Sequence, residues 1–200
     1  MILKSATVIG ILLFLPGCSL FRSSSVTEEE KTLPEESTTF ARDDFEIDQS
    51  QSLISFVGKK GGVFAHEGKF EDFQVNIESD EAEPGDFEKA QINATIDIKS
   101  MVTDSDGLTD HLLNPDFFES ETYPEATFTS TNIQKQSDDQ YVVEGELTMK
   151  GVTQPVTLNT QLTNEFLYAE YDLNRLDFGI GEEGAVDTIV PMTFKMVFAS

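Results

Sequence analysis

From about residue 45 onward, apolar and polar positions alternate along the chain with a period of two. Ser52, Ile54 and Phe56 stand against Leu53, Ser55 and Val57, and Phe73, Val75 and Ile77 stand against Gln74 and Asn76. The most regular stretch sets Ile92, Ala94, Ile96 and Ile98 against Asn93, Thr95, Asp97 and Lys99. Further runs follow at Thr127–Ile133, Tyr141–Met149, Val156–Leu162 and Met192–Phe198. This period is that of a strand with one face in water and the other in an apolar interior. Lys150-Gly151 between two runs predicts a tight hairpin, because Gly takes positive φ without strain. Pro155 within a run predicts a bulge or an unpaired position, since Pro brings no N–H to a ladder.

One interlude breaks the period. Asp106 is placed to cap a short helix, with Leu108 and Leu112 four residues apart on one face. Asn114-Pro115 predicts another turn, and Phe117, Phe118 and Tyr123 follow before Pro124 leads into the next strand. About eight alternating runs with one helical crossover predict an all-β domain, an antiparallel eight-stranded barrel. Closure removes exposed strand edges. At eight strands the interior is either filled by side chains or wide enough for one small ligand. A two-sheet sandwich shows the same alternation, and the pattern leaves both open.

Before residue 45 the alternation is absent. Lys4 precedes an apolar run, Ala6 to Leu15, that is too short to span a bilayer, and this order predicts a secretory signal. Leu15-Pro16-Gly17-Cys18 resembles the lipobox of bacterial lipoproteins, which implies cleavage before Cys18 and acylation of its thiol and amine. Acyl chains anchor a protein with about 0.8 kcal/mol per buried methylene. Ser19 is compatible with sorting to the periplasmic face of the outer membrane. The following segment is rich in Ser, Thr and Glu, as in Ser23-Ser24-Ser25 and Glu28-Glu29-Glu30, and reads as a self-repelling stalk. The predicted division is a signal peptide over residues 1–17, a lipidated Cys and disordered acidic stalk over 18–44, and the barrel over 45–200.

Charge narrows the function. A formal net charge of -24 argues against nucleic acid, which needs clustered Lys and Arg, and against electrostatic docking on anionic head groups. The single Cys forms no internal disulfide, and the two His with no further Cys give no zinc-type ligand spacing. No nucleophile elbow is present. Nothing in the composition fixes an oligomeric state.

The longer motifs are those of a known family. Thr95–Ser100, Thr109-Asp110-His111-Leu112, Phe117-Phe118 and Tyr123–Phe128 resemble the middle signature of the YceI family. Gly145–Val156 resembles its second signature. Phe56-Val57, Lys60, His66 to Gly68, Arg175 and Phe178-Gly179 are similar to its flanking positions. One position departs: where many relatives carry Arg before the Asp of the helical segment, Thr109 stands here. The resemblance implies a lipocalin-like barrel with a deep apolar tunnel for a polyisoprenoid chain, quinone or prenyl lipid, and the lack of a zinc-type cluster or nucleophile elbow points to a binding protein and not an enzyme.

The inward Phe56, Phe73, Phe128, Phe194, Met196 and Phe198 are the candidate chain-binding positions, though each is also what a filled barrel would contain. Lys60, His66, Asp110 and His111 are the candidates at the head group. His66 reads as part of a glycine-rich, loop-like stretch, and alternation puts one of Lys59-Lys60 on the outer face. Two other readings stay open: a packed barrel that only binds another protein, and a lipid-modifying enzyme.

Overall fold

The computed structural model describes residues 45–61, 64–78, 86–184 and 186–199. Expectations about the signal, Cys18 and the stalk lie outside these residues. The described residues form ten β-strands, one α-helix and three short 3-10 turns. In chain order the strands are β1 (Leu53–Lys60), β2 (Phe64–Phe70), β3 (Phe73–Glu78), β4 (Gln91–Asp97), β5 (Met101–Thr103), β6 (Glu125–Lys135), β7 (Gln140–Met149), β8 (Val152–Leu162), β9 (Phe166–Asn174) and β10 (Ile189–Val197). The helix, α1 (Asp106–Leu113), lies between β5 and β6.

All neighbouring strands pair antiparallel, in the order β3-β4-β6-β7-β8-β9-β10-β1-β2-β5. The ends of this order meet. β2 runs on through Glu71-Asp72 into β3, and β4 runs on through the 3-10 turn Ile98–Ser100 into β5. β3 pairs with β4 and β2 with β5, so two interrupted strands pair along both halves. Glu71 N–H donates to the Ser100 carbonyl and Asp97 N–H to the Asp72 carbonyl, carrying the ladder across the breaks. Ten segments thus make eight staves, and the ring of pairings closes as a barrel.

Even-numbered residues from Ile54 to Phe56 and from Ile92 to Ile96 face inward, as the alternation requires, and so do Met192, Phe194 and Met196. Lys150 (φ 47) and Gly151 (φ 75) make the hairpin between β7 and β8. Pro155 pairs with Glu146 of β7 on one side, while β8 has no β9 partner before Asn159 on the other. The missing N–H therefore costs nothing, and the predicted unpaired position is found without a bulge. Ile98 belongs to the 3-10 turn, not to a strand. The stretch with His66, read as a loop, is strand β2: Gly58↔His66 and Phe56↔Gly68 are paired across β1 and β2. Ser105, not Asp106, occupies the cap position of α1, and Asp106 sits in its first turn, where its charge suits the helix dipole.

One end of the barrel is plugged. Phe45 and Phe198 rings lie 5.1 Å apart, Phe45 and Phe87 6.2 Å, and Phe87 stands edge-on to Tyr141 at 5.0 Å. Fully burying each such side chain contributes about 1.5–3 kcal/mol. Beside this plug the wall parts. Residues 46–48 pair with the end of β10, through Asp48 N–H to the Val197 carbonyl and Ala199 N–H to the Glu46 carbonyl, both 2.8 Å. β3 lies across a groove of about 600 Å³ from them. Because Asp72 bonds toward β4 and successive residues alternate, the backbone groups of Phe73, Val75 and Ile77 face this groove. The Gln49 side-chain amide donates across it to the Phe73 carbonyl.

Candidate functional site

The opposite end of the barrel is open, and it holds a cavity of about 670 Å³. That volume falls within the range typical of small-molecule sites. Its floor is apolar, formed by Phe56, Phe70, Met149, Leu173 and Met192. Leu108 and Leu112 of α1, with Phe117 and Phe118 after it, form one side. Ile180, Val186 and Val190 form another.

A second, smaller cavity of about 80 Å³ lies deeper. The two are stacked along the barrel axis. On β1, Phe56 lines the mouth cavity and Ile54 the inner one; on β7, Met149 and Leu147; on β9, Leu173 and Tyr171; on β10, Met192 and Phe194. One step of two residues along each of four strands moves from one cavity to the next, so the two lie in line along the barrel axis.

Polar groups gather at the rim. Lys59, Lys60, His66, His111, Asp116 and Glu182 all line it. His66 and Asp104 share a 2.8 Å contact through Nδ1 and Oδ1, with both side chains about half exposed. When the imidazole donates Nδ1–H to Asp104, its Nε2 is left as an acceptor for a second group. His111 stands edge-on to Phe117 at 4.8 Å. Both lysines reach the rim, contrary to the expectation that one would face outward, because they lie at the end of the β1–β2 hairpin where the wall stops. Among the described residues, no Ser, Thr or Cys bonds to either histidine.

Arg175 governs the other side of the rim. It is 2 % exposed, and burial lowers its pKa from the ordinary arginine value. Its Nη1 donates to Ile180 O at 2.7 Å, Nη2 to Glu182 O and Val186 O at 2.8 and 2.9 Å, and Nε to Asp187 O at 3.1 Å. No carboxylate answers its charge among the described residues; four carbonyl dipoles do so instead. Asp187 then ties this segment to β1, through its N–H to the Lys59 carbonyl and its Oδ1 accepting from Gly61 N–H. The guanidinium thus holds Ile180, Glu182, Val186 and Asp187 together at the mouth.

The structure distributes the candidate residues unevenly. Phe56, Lys60, His66 and His111 meet at the mouth cavity; Phe128, Phe194 and Met196 line the inner one. Three candidates stand elsewhere. Phe73 is buried under the bend between β2 and β3, Phe198 is part of the aromatic plug, and Asp110 is exposed on the solvent side of α1. The sequence alone did not single out Arg175, Leu173, Met192, Ile180, Glu182, Val186 or Val190 as parts of the mouth. Thr109, where an Arg was the expected residue, accepts Thr103 N–H at 3.0 Å through its hydroxyl and so secures the start of α1 to β5.

The fold recurs among solved proteins. BcnA of Burkholderia cenocepacia superimposes with a TM-score of 0.68 at 26% identity, covering 77% of this chain and 100% of that one. A polyisoprenoid binding domain of Saccharophagus degradans, described as implicated in plant cell wall breakdown, gives a TM-score of 0.59 at 18% identity, over 80% of this chain and 99% of that one. Among sequences, a UPF0312 protein of Photorhabdus laumondii is 43% identical over 98 residues, 49% of each chain. Protein YceI of Escherichia coli O157:H7 is 34% identical over 124 residues, 61% of this chain and 63% of that one. The chain therefore spans about half to three-fifths of the length of these relatives. The model of the YceI-like domain matches residues 45–198, the barrel with its plug and its mouth, and the chain belongs to that family.

Proposed function

We propose that this protein holds a long isoprenoid-type lipid, with its chain in the barrel lumen and its head group at the rim, for transport, storage or sensing. The observation that carries this reading is the stacked pair of apolar cavities, open at one end and plugged at the other. Apolar burial gives such a chain about 25 cal/mol per Å² without requiring directional chemistry. The description of the Saccharophagus degradans domain as polyisoprenoid binding supports the same reading. A packed barrel acting only as a protein-binding surface fits less well with half-buried Phe128 and Phe194 facing an open lumen. An enzymatic role finds no support at the rim, where neither histidine bonds a nucleophile. Lipid extraction of the purified protein followed by mass spectrometry tests the proposal: a prenyl lipid in molar proportion is expected, and its absence with no binding of added quinone overturns it.

The head group we favour is a quinone. The rim sets Lys59 and Lys60 against Asp116 and Glu182, while Arg175 is buried behind its four carbonyls, so the exposed charges of the rim balance and the field of the whole molecule decides. At a formal charge of -24 that field repels a pyrophosphate. Lys60 can donate to a quinone carbonyl at little cost. A long-chain quinone is expected to bind more tightly than a prenyl pyrophosphate of equal length, with the difference shrinking as salt rises. Titration at two salt concentrations measures it, and tighter pyrophosphate binding at low salt would reverse the assignment.

We further propose export and anchoring through Cys18 to a bacterial membrane, on the periplasmic face of the outer membrane. Incorporation of a clickable fatty acid into the wild type but not into Cys18→Ser is the expected result.

A further inference from the structure

Two interior glycines lie beneath phenylalanine rings. Gly68 of β2 stands directly opposite Phe56 of β1, and a methyl group on it would lie 2.2 Å from Phe56 Cζ and 2.7 and 2.8 Å from the two Cε atoms. A methyl on Gly145 of β7 would lie 2.4 and 2.5 Å from Cε2 and Cζ of Phe128, and 2.6 Å from the Thr129 carbonyl oxygen. Neither glycine has a positive φ, so backbone conformation does not demand it. What demands it is the ring. Each phenylalanine lies flat against the barrel wall, in space that any other residue's side chain would fill.

The position of Phe56 gives this a consequence. It lines the mouth cavity, while Ile54, one inward step along the same strand, lines the inner cavity. The ring therefore stands at the junction of the two. Phe70 packs on one side at 5.7 Å between ring centres, and Met192 of β10 is its partner across the strand pair on the other. With those sides occupied and the niche at Gly68 filled, the direction left to the ring is into the lumen.

We propose that Gly68 sets the bore of the barrel: it keeps Phe56 against the wall, so that one flexible apolar chain can pass from the mouth into the inner cavity. Gly145 does the same for Phe128 further in. The proposal rests on the lipid-holding reading and gives it a selectivity. The ligand is a long, unfused chain that threads in single file, and the part of the chain beyond the junction is what distinguishes long homologues from short ones. A broad fused-ring apolar body fits the mouth but not the junction.

Gly68 is the cleaner test, because the three atoms nearest to the added methyl all belong to the Phe56 ring, whereas at Gly145 a backbone oxygen is among the three. The probes are ubiquinone homologues with short and long prenyl tails, titrated into the full-length protein. Wild type is expected to favour the long homologue by about tenfold or more, the extra buried chain supplying the difference. Gly68→Ala is expected to erase that preference while changing short-homologue binding less than about threefold. Adding Phe56→Ala to Gly68→Ala removes the displaced ring and restores the preference, an outcome that a merely misfolded variant would not give. A long-chain preference that survives Gly68→Ala, or one that Phe56→Ala fails to restore, overturns the proposal alone. A wild type that binds neither homologue overturns the lipid-holding reading itself, and the proposal with it.

Discussion

Arg175 shows how a single buried charge can be held without a counter-ion. Its guanidinium replaces water with four carbonyl oxygens, and removing it leaves those four acceptors unsatisfied. Arg175→Ala is expected to cost at least about 2–3 kcal/mol, because buried carbonyl acceptors lose their donor, and chemical denaturation measures it. Lys in its place supplies a point charge but not the planar fork, so Arg175→Lys should recover only a minor part. At the same scale, the alternation in β10 is tested by one pair of substitutions. Phe194 faces the inner cavity and Lys195 the solvent. Phe194→Asp should lower stability by several kcal/mol by placing an unpaired carboxylate in the lumen, and Lys195→Asp by less than about 1 kcal/mol. Similar melting temperatures for the two would mean the strand faces the other way. Period alone could assign these two residues. It could not tell lumen from plug, because Phe198 continues the same alternating row as Phe194 yet meets Phe45, which is distant in sequence. The family resemblance marked Arg175 as a flanking position but not its role, since its acceptors all belong to a loop without period.

Elements were legible in proportion to their regularity. β4, β6, β7, β8 and β10 stand where the alternation places them. β2 did not, because Gly68 and the polar residues His66, Glu67 and Lys69 interrupt its apolar face, and the pairing with β1 overrides that weak local preference. β9 was not singled out either: its outward Phe166 and Tyr168 blur the contrast between its two faces. The break at Ile98–Ser100 is likewise set by the barrel's need to turn, with Asp97 accepting Lys99 N–H to hold it. The hairpin at Lys150-Gly151 gives an element-scale prediction. Gly151 has φ 75, and a methyl on it would also press to 2.6 Å from Tyr123 Cε1. Gly151→Ala should therefore cost at least about 1 kcal/mol by equilibrium denaturation. It should leave Lys150 less able to reach the carbonyls of Pro115 and Gly179, which it bonds at 3.0 and 3.1 Å.

For the molecule as a whole, charge sets how stability responds to the medium. A formal charge of -24 strains the compact state by self-repulsion, so added salt at neutral pH should raise the melting temperature. Specific groups act against this in acid. Hydrogen bonds from Ser50 and Gln51 hold Asp48 below its ordinary carboxylate value, and one from Gln161 does so for Asp139. Their stabilising effect is complete above the unfolded carboxylate range and is lost as pH falls through the lowered values, so Asp48→Asn should flatten that part of the profile. Tyr141 behaves oppositely: burial, with Glu88 next, pushes its phenol up, and its contribution is lost only as pH rises through the raised value. The groove beside β3 adds a last property, one of kinetics. A closed hoop of strands opens most readily where its hydrogen-bond ladder is already interrupted, as it is along β8 before Asn159 and again beside β3, where the Gln49 amide spans the gap. In hydrogen exchange, the amides of Val75 and Ile77 should lose their protons well before those of Ala94 and Ile96, which face β6. Breathing along that line would let the wall widen sideways without unfolding, so a tail too long for the lumen could relax outward there while its head stayed at the mouth.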